Sequence, residues 1–127
     1  MTDARTIAGW LTNLGWTVRR DRKGVLGIEV AGGPGLPPLR AACVEHWVLL
    51  ALGPVLEPTA PTTADLWLRL LTVNRDMRVA KYALDDDDSV VLCAELPTES
   101  LDEAELVDVV TRLVRYHHHY VGFLSGD

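Results

Sequence analysis

The sequence predicts an α+β fold with the element order α-β-β-β-α-β-β-α. Three observations predict it. Capping residues open three segments whose apolar positions recur at helical spacing. Short alternating runs meet at turn-forming residues, as hairpins do. No internal repeat or low-complexity tract interrupts the pattern.

Thr2 or Asp3 caps the first helix, in which Ile7, Trp10, Leu11 and Leu14 follow helical spacing. Gly15 stops it, because glycine enters the left-handed region cheaply. Residues 16–20 read as a strand with Trp16 and Val18 on one side. Asp21-Arg22-Lys23-Gly24 is a turn, and residues 25–31 return with Leu26, Ile28 and Val30 on one face. Three glycines and three prolines between residues 32 and 38 make a loop, since they cannot sustain a ladder. Residues 41–52 read as one long strand that turns apolar on both faces from Trp47 onward, hence central and covered on both sides. Gly53-Pro54 ends it, and a surface crossing runs to Pro61.

Thr62 and Asp65 form a variant capping box for the second helix. A hairpin follows, residues 78–84 and 90–96, with Asp85, Asp86, Asp87 and Asp88 as its turn and Pro97 closing it. Ser100 and Glu103 make a capping box for the last helix, whose buried stripe is Leu106, Val107, Val110, Leu113, Val114 and Val121. Acidic residues in its first turns, and Arg112, Arg115 and His117 towards its end, suit the helix dipole.

At 127 residues the chain, 1–127, fits one domain with a core large enough to need no disulfide or metal staple. A formal net charge of -6 argues against nucleic acid or an anionic membrane as a partner, because both are bound through basic surface. Cys43 and Cys93 sit far apart in strand-like runs and read as buried thiols in a reducing compartment. No basic-then-apolar pattern of a signal peptide opens the chain, and no run approaches the roughly 18–20 apolar residues of a bilayer span. A cytoplasmic protein without a membrane partner is expected.

The second helix is the unusual element. On a helical wheel Asp65, Arg69, Thr72 and Asp76 share one narrow stripe, whereas Leu66, Trp67, Leu68, Leu70, Leu71 and Val73 cover most of the remaining circumference. A helix resting on one sheet needs an apolar arc of only about 100° or a little more. Leaving three such side chains in water would forgo roughly 1.5–3 kcal/mol each. A second apolar neighbour is expected: another part of the chain, such as the first or last helix, or a second copy across a two-fold axis.

Leu70-Leu71-Thr72-Val73-Asn74 leads into Val79-Ala80-Lys81-Tyr82-Ala83-Leu84, and the acidic turn into Val90-Val91-Leu92-Cys93-Ala94-Glu95-Leu96-Pro97. With Leu14-Gly15-Trp16 near the start, these segments resemble the YbjN family, whose fold is similar to that of type III secretion chaperones of the Tir-chaperone, CesT-like class. The element order is alike over nearly the whole chain, the motif-like match over a minor part of it. The resemblance implies a two-layer α/β sandwich with helices packed on a twisted antiparallel sheet, and a homodimer built around the middle helix and adjacent strands. Chaperones of that fold hold an extended client segment on apolar surface grooves, and YbjN-like proteins are described as regulators.

Chemistry-bearing residues read as structural. Calcium loops place ligands at alternating positions with a glycine at the turn, which four consecutive aspartates do not. His117, His118 and His119 diverge by about 100° each on a helix and cannot converge on one ion. His46 reads as a hydrogen-bonded core or interface histidine. Arg19, Arg20, Arg22 and Lys23 read as a solvated hairpin tip, and neither a phosphate loop nor a nucleophile elbow is present.

The sequence therefore assigns no catalytic, cofactor-binding or metal-ligating residue and predicts no enzyme. It predicts a homodimer or partner interface of Leu66, Trp67, Leu70, Leu71, Val73, Asn74 and Tyr82, and an unidentified client protein. The alternative is a small-ligand sensor with a pocket between the sheet and a helix, near His46 and Trp47.

Overall fold

A computed structural model describes residues 2–30, 35–56 and 64–126. Asp3 accepts a hydrogen bond from the Thr6 amide at 2.9 Å and so caps α1 (Ala4–Asn13), and Gly15 leaves it at φ 87°. β1 (Thr17–Arg20) and β2 (Leu26–Glu29) form the first hairpin. Its turn is fastened by the Asp21 carboxylate, which accepts from the Lys23 and Val25 amides at 2.8 and 2.9 Å.

The predicted long strand is two strands, β3 (Leu39–Val44) and β4 (Trp47–Leu52), paired antiparallel with Val44 opposite Trp47. Glu45, at φ 56°, and His46 make the two-residue turn between them. α2 (Ala64–Asp76) follows, and Thr62 and the surface crossing after Leu56 lie outside the described residues. β5 (Ala80–Leu84) and β6 (Val90–Pro97) form the hairpin expected around the aspartates. α3 (Glu103–Leu124) is capped by Asp102, which accepts from the Glu105 amide at 2.8 Å, rather than by Ser100.

The six strands form one antiparallel sheet in the order β1-β2-β3-β4-β6-β5. α1 packs on β1 and β3, α2 on β5, and α3 on β5 and β6, with α3 also touching both other helices. The result is a two-layer α+β sandwich. Register sorts the side chains by period two. Leu26 and Ile28, Leu39 and Ala41, Val48, Leu50 and Leu52, then Leu92 and Ala94 face the helices and are buried.

Ile7 and Leu11 of α1, Leu66, Leu70 and Val73 of α2, and Leu106, Val110 and Leu113 of α3 complete this core. On α3 the buried stripe also takes Val109, His117 and Leu124, while Val107, Val114 and Val121 are half-buried. The helix is thus rotated slightly from the predicted face, and it packs against both other helices as well as the sheet. No helix among the described residues is long and apolar enough to cross a membrane.

Candidate functional site

α2 spends its apolar circumference in two directions. Leu66, Leu70 and Val73 recur at helical spacing and point into the core, so these three of the predicted interface residues serve the chain's own packing. Tyr82, a fourth, is also buried, and its hydroxyl has no hydrogen-bond partner among the described residues. Burial, with the nearby Tyr120 second, pushes that phenol well above its usual range.

Trp67, Leu68 and Leu71 point the other way and remain 38%, 65% and 68% exposed. Leu68 was absent from the predicted set, although it lies one residue beyond Trp67 on the same flank. Phe123, at the end of α3, is exposed beside the polar stripe of α2, with the Arg69 guanidinium 6.0 Å from its ring centre. Neither α1 nor α3 covers the outer flank of α2, so the intramolecular cover weighed from the sequence is not supplied by the described residues. A clustered apolar surface of this kind marks an interaction site more often than scattered single residues do.

Asn74 neither simply ends the helix nor remains free. Its amide donates to the Tyr82 carbonyl at 3.0 Å and accepts from the Tyr82 amide at 2.7 Å. β5 lies at one edge of the sheet, so the Asn74 side chain stands where the backbone of a further strand would bond. That edge is closed at its centre. At the opposite edge lies β1, four residues long.

The sheet face away from the helices is open. The prediction of a strand covered on both sides fails here: all three helices lie on one face, and Val44, Trp47 and Leu49 stay exposed on the other. Register sets Val44 beside Trp47, and Trp47 beside Pro97, so the patch is continuous. Two ion pairs flank it, Lys81 to Glu95 at 2.8 Å and Arg40 to Asp85 at 3.0 Å. Arg40 holds the Asp85 carboxyl below its ordinary value. Further along the same face, a cleft of about 610 Å³ runs between β1, β2, β3 and the Leu36-Pro37-Pro38 loop.

The remaining chemistry-bearing residues are dispersed. His46 is exposed in the β3–β4 turn, where its carbonyl accepts from the Thr98 amide at 2.9 Å, so it is not a core histidine. The described cleft therefore lies on the open face, away from the sheet–helix site proposed near His46 and Trp47. His117 is buried while His118 and His119 are exposed, as divergent helical directions require. In the acidic turn the Asp87 carboxylate accepts from the Ser89 amide and hydroxyl at 3.0 and 2.6 Å. Cys43 and Cys93 are free and half-buried, and burial raises both thiols.

This architecture, an α+β sandwich, is shared with a group of solved structures that includes type III secretion chaperones. YbjN from E. coli is similar at TM-score 0.73 with 17% identity, covering 94% of this chain and 91% of that one. A chain of the heterodimeric ExoU–SpcU complex from the type III secretion system of Pseudomonas aeruginosa matches at 0.69 with 27% identity, over 95% and 99%. The Yersinia pestis type III secretion chaperone SycH, in complex with a fragment of YscM2, matches at 0.66 with 17% identity, over 93% and 98%. No curated protein sequence is significantly similar to this chain. Residues 3–116 match the family YbjN, described as "Putative bacterial sensory transduction regulator", and the chain belongs to it.

Proposed function

We propose that this chain is a non-enzymatic, cytoplasmic, homodimeric protein-binding module with a chaperone-like or regulatory role. The observation that carries the reading is the outward flank of α2. Trp67, Leu68 and Leu71 stay exposed after the same helix has filled the core with Leu66, Leu70 and Val73. A two-fold dimer covers one such patch with its own copy, which satisfies both molecules at once. The residues of the dimer surface are accordingly Trp67 and Leu71, joined by Leu68, with Leu66, Leu70, Val73, Asn74 and Tyr82 holding that flank in place from behind.

Client binding falls to the surfaces left over, the open sheet face around Val44, Trp47 and Leu49 and the unsealed edge. The similar structures support a protein client, since they include a chaperone in complex with a fragment of its partner. Backbone pairing supplies affinity in such a mode and side-chain sites supply specificity.

Site-specific photo-crosslinking separates the two surfaces. A benzophenone side chain in place of Leu68 should give crosslinks between two copies of this chain. The same group in place of Leu49 should give crosslinks to a different polypeptide in extract of the native cell. Self-crosslinks from Leu49 and none from Leu68 would overturn the assignment.

A further inference from the structure

The open face of the sheet is charged differently along its two sides. Towards β5 its cations are neutralised within the chain, Lys81 by Glu95 and Arg40 by Asp85. Towards β1, Arg19 is exposed on the same face, and Arg22 and Lys23 are exposed at the hairpin tip beyond it. None of these three is in an ion pair among the described residues. The tip's own acid, Asp21, is engaged by the backbone amides of Lys23 and Val25. A protein of net charge -6 thus leaves its cations uncovered on one side of its apolar patch.

A low floor joins that patch to Arg19. Leu49 pairs with Ala42 on β3, two residues from Arg40; Arg40 pairs with Gly27, and Gly27 with Arg19. Three strand spacings of about 4.8 Å and two residues of about 3.3 Å set Leu49 and Arg19 roughly 16 Å apart. The line between them passes over Ala42 and Gly27, two small residues. A Cβ built at Gly27 would meet only the Arg19 carbonyl oxygen, at 3.8 Å, so the floor is open there. The Arg40 side chain beside that line is drawn off to the β5–β6 turn by Asp85.

The line ends in the cleft of about 610 Å³, whose lining includes Gly27 and Arg19 and whose wall is the Leu36-Pro37-Pro38 loop. Glu29, the acid of that lining, sits across from Thr17 and is not in an ion pair with Arg19. An extended segment covers 16 Å in about five residues, at about 3.3 Å for each.

We infer that the open face holds an extended client segment lying across the strands, with an apolar side chain on Leu49 and Trp47 and an acidic one, about five residues away, on Arg19. Deepening the protein-binding reading, on which it rests, this names the partner's chemistry and its orientation. A carboxylate placed on the β5 side would meet Glu95 and Asp85, which already hold the cations there. Charge therefore sets the acidic end of the segment towards β1, while the apolar contact anchors the other end.

Amide-resolved NMR titration of the full chain tests this with capped octapeptides, each made in both chain directions. Three of them carry Leu-Leu at one end, four serines and threonines, and then Glu-Glu, Gln-Gln or Lys-Lys. The Glu peptide should shift the Leu49, Ala42, Gly27 and Arg19 amides and bind about fivefold more tightly than the Gln peptide, as partly exposed charge pairs allow. The Lys peptide should bind least. A fourth peptide, with Leu-Leu and Glu-Glu adjacent, should bind no better than the Gln peptide. Arg19→Gln should abolish the preference for Glu, and Leu49→Ser should weaken all of the peptides alike.

Equal affinity for Glu and Gln, with shifts on the open face, would overturn the acidic seat and leave client binding there intact. A Glu preference that survives Arg19→Gln, or that the fourth peptide keeps, would overturn the placement. No shift on the open face with any peptide would overturn the seat together with the client face; self-association through α2 is read independently by the Leu68 crosslink.

Discussion

The two flanks of the sheet are finished in opposite ways. On the β5 side an asparagine amide closes the backbone edge, and the helix above it presents a bare apolar surface. On the β1 side no described strand pairs with the outer edge, and its neighbourhood is charged and indented rather than greasy. The contrast teaches that one molecule can divide two kinds of association by chemistry. An apolar patch with a blocked edge favours face-to-face packing of folded surfaces. An open edge beside a cationic cleft favours pairing with an extended chain.

The largest effect should come from splitting the two faces of α2. Leu70→Ala should destabilise the protein by about 2–5 kcal/mol, because Leu70 fills the core. Leu71→Ala, one residue on, should change the stability of the isolated protomer by no more than about 0.5 kcal/mol while weakening self-association. Urea unfolding at high dilution, beside sedimentation at high concentration, separates these outcomes. Equal effects of the two substitutions on unfolding at high dilution would erase the distinction between the faces.

Asn74→Ala should cost about 1–3 kcal/mol, from two lost hydrogen bonds to Tyr82. It should also expose the β5 edge, so that aggregation on concentrating the protein rises and the two flanks become alike. Full retention of stability would show that the amide pairing does not hold the edge.

Acid sharpens the comparison from the β5 side. Burial, and then the neighbouring His118, lower the affinity of His117 for a proton. The unfolded chain therefore takes up that proton more readily. The resulting stability is complete above the ordinary imidazole value of 6.5 and is lost as pH falls through and below it. The slope is at most one proton, about 1.4 kcal/mol per pH unit. His117→Leu, which removes a buried Nδ1 without a partner among the described residues, should flatten this limb of the urea midpoint against pH. An unchanged limb would assign the acid sensitivity to other groups.

The smallest effect belongs to the open face. Lys81→Ala breaks a 2.8 Å ion pair with Glu95 whose side chains are about half exposed, and should cost no more than about 0.2–1 kcal/mol. Raising the salt concentration should shrink even that difference.

Much of this was legible in the sequence, for physical reasons that differ by element. The hairpins of β1–β2 and β5–β6 announce themselves through Asp21, Gly24 and the run of aspartates, residues that bond their own turns. The β3–β4 turn does not. Glu45 and His46 are poor turn formers flanked by valine and tryptophan, and Glu45 enters the left-handed region without the glycine or asparagine that signals it. A single strand is the simpler pattern, and one strand apolar on both faces implies cover on both sides.

The start of α3 is ambiguous in sequence because Ser100–Glu103 and Asp102–Glu105 both offer a cap and an acid at three-residue spacing; only the fold chooses Asp102. The excess apolar circumference of α2 was plain from composition on the wheel. Which residues face outward was not, because that depends on how α3 and β5 grip the helix. Leu66, Leu70 and Val73 could be told from Trp67, Leu68 and Leu71 only once those neighbours were in place. The cleft at Gly27 was invisible for a similar reason: its line of residues comes from three strands and exists only in register.

Sedimentation equilibrium of the wild-type chain and of Trp67→Glu, both confirmed as folded by circular dichroism, tests the outward flank of α2 most directly. A two-fold dimer for the wild type and a protomer for the variant are the predicted result. A wild type that stays monomeric at high micromolar concentration, or a folded variant that dimerises as well as the wild type, would contradict it.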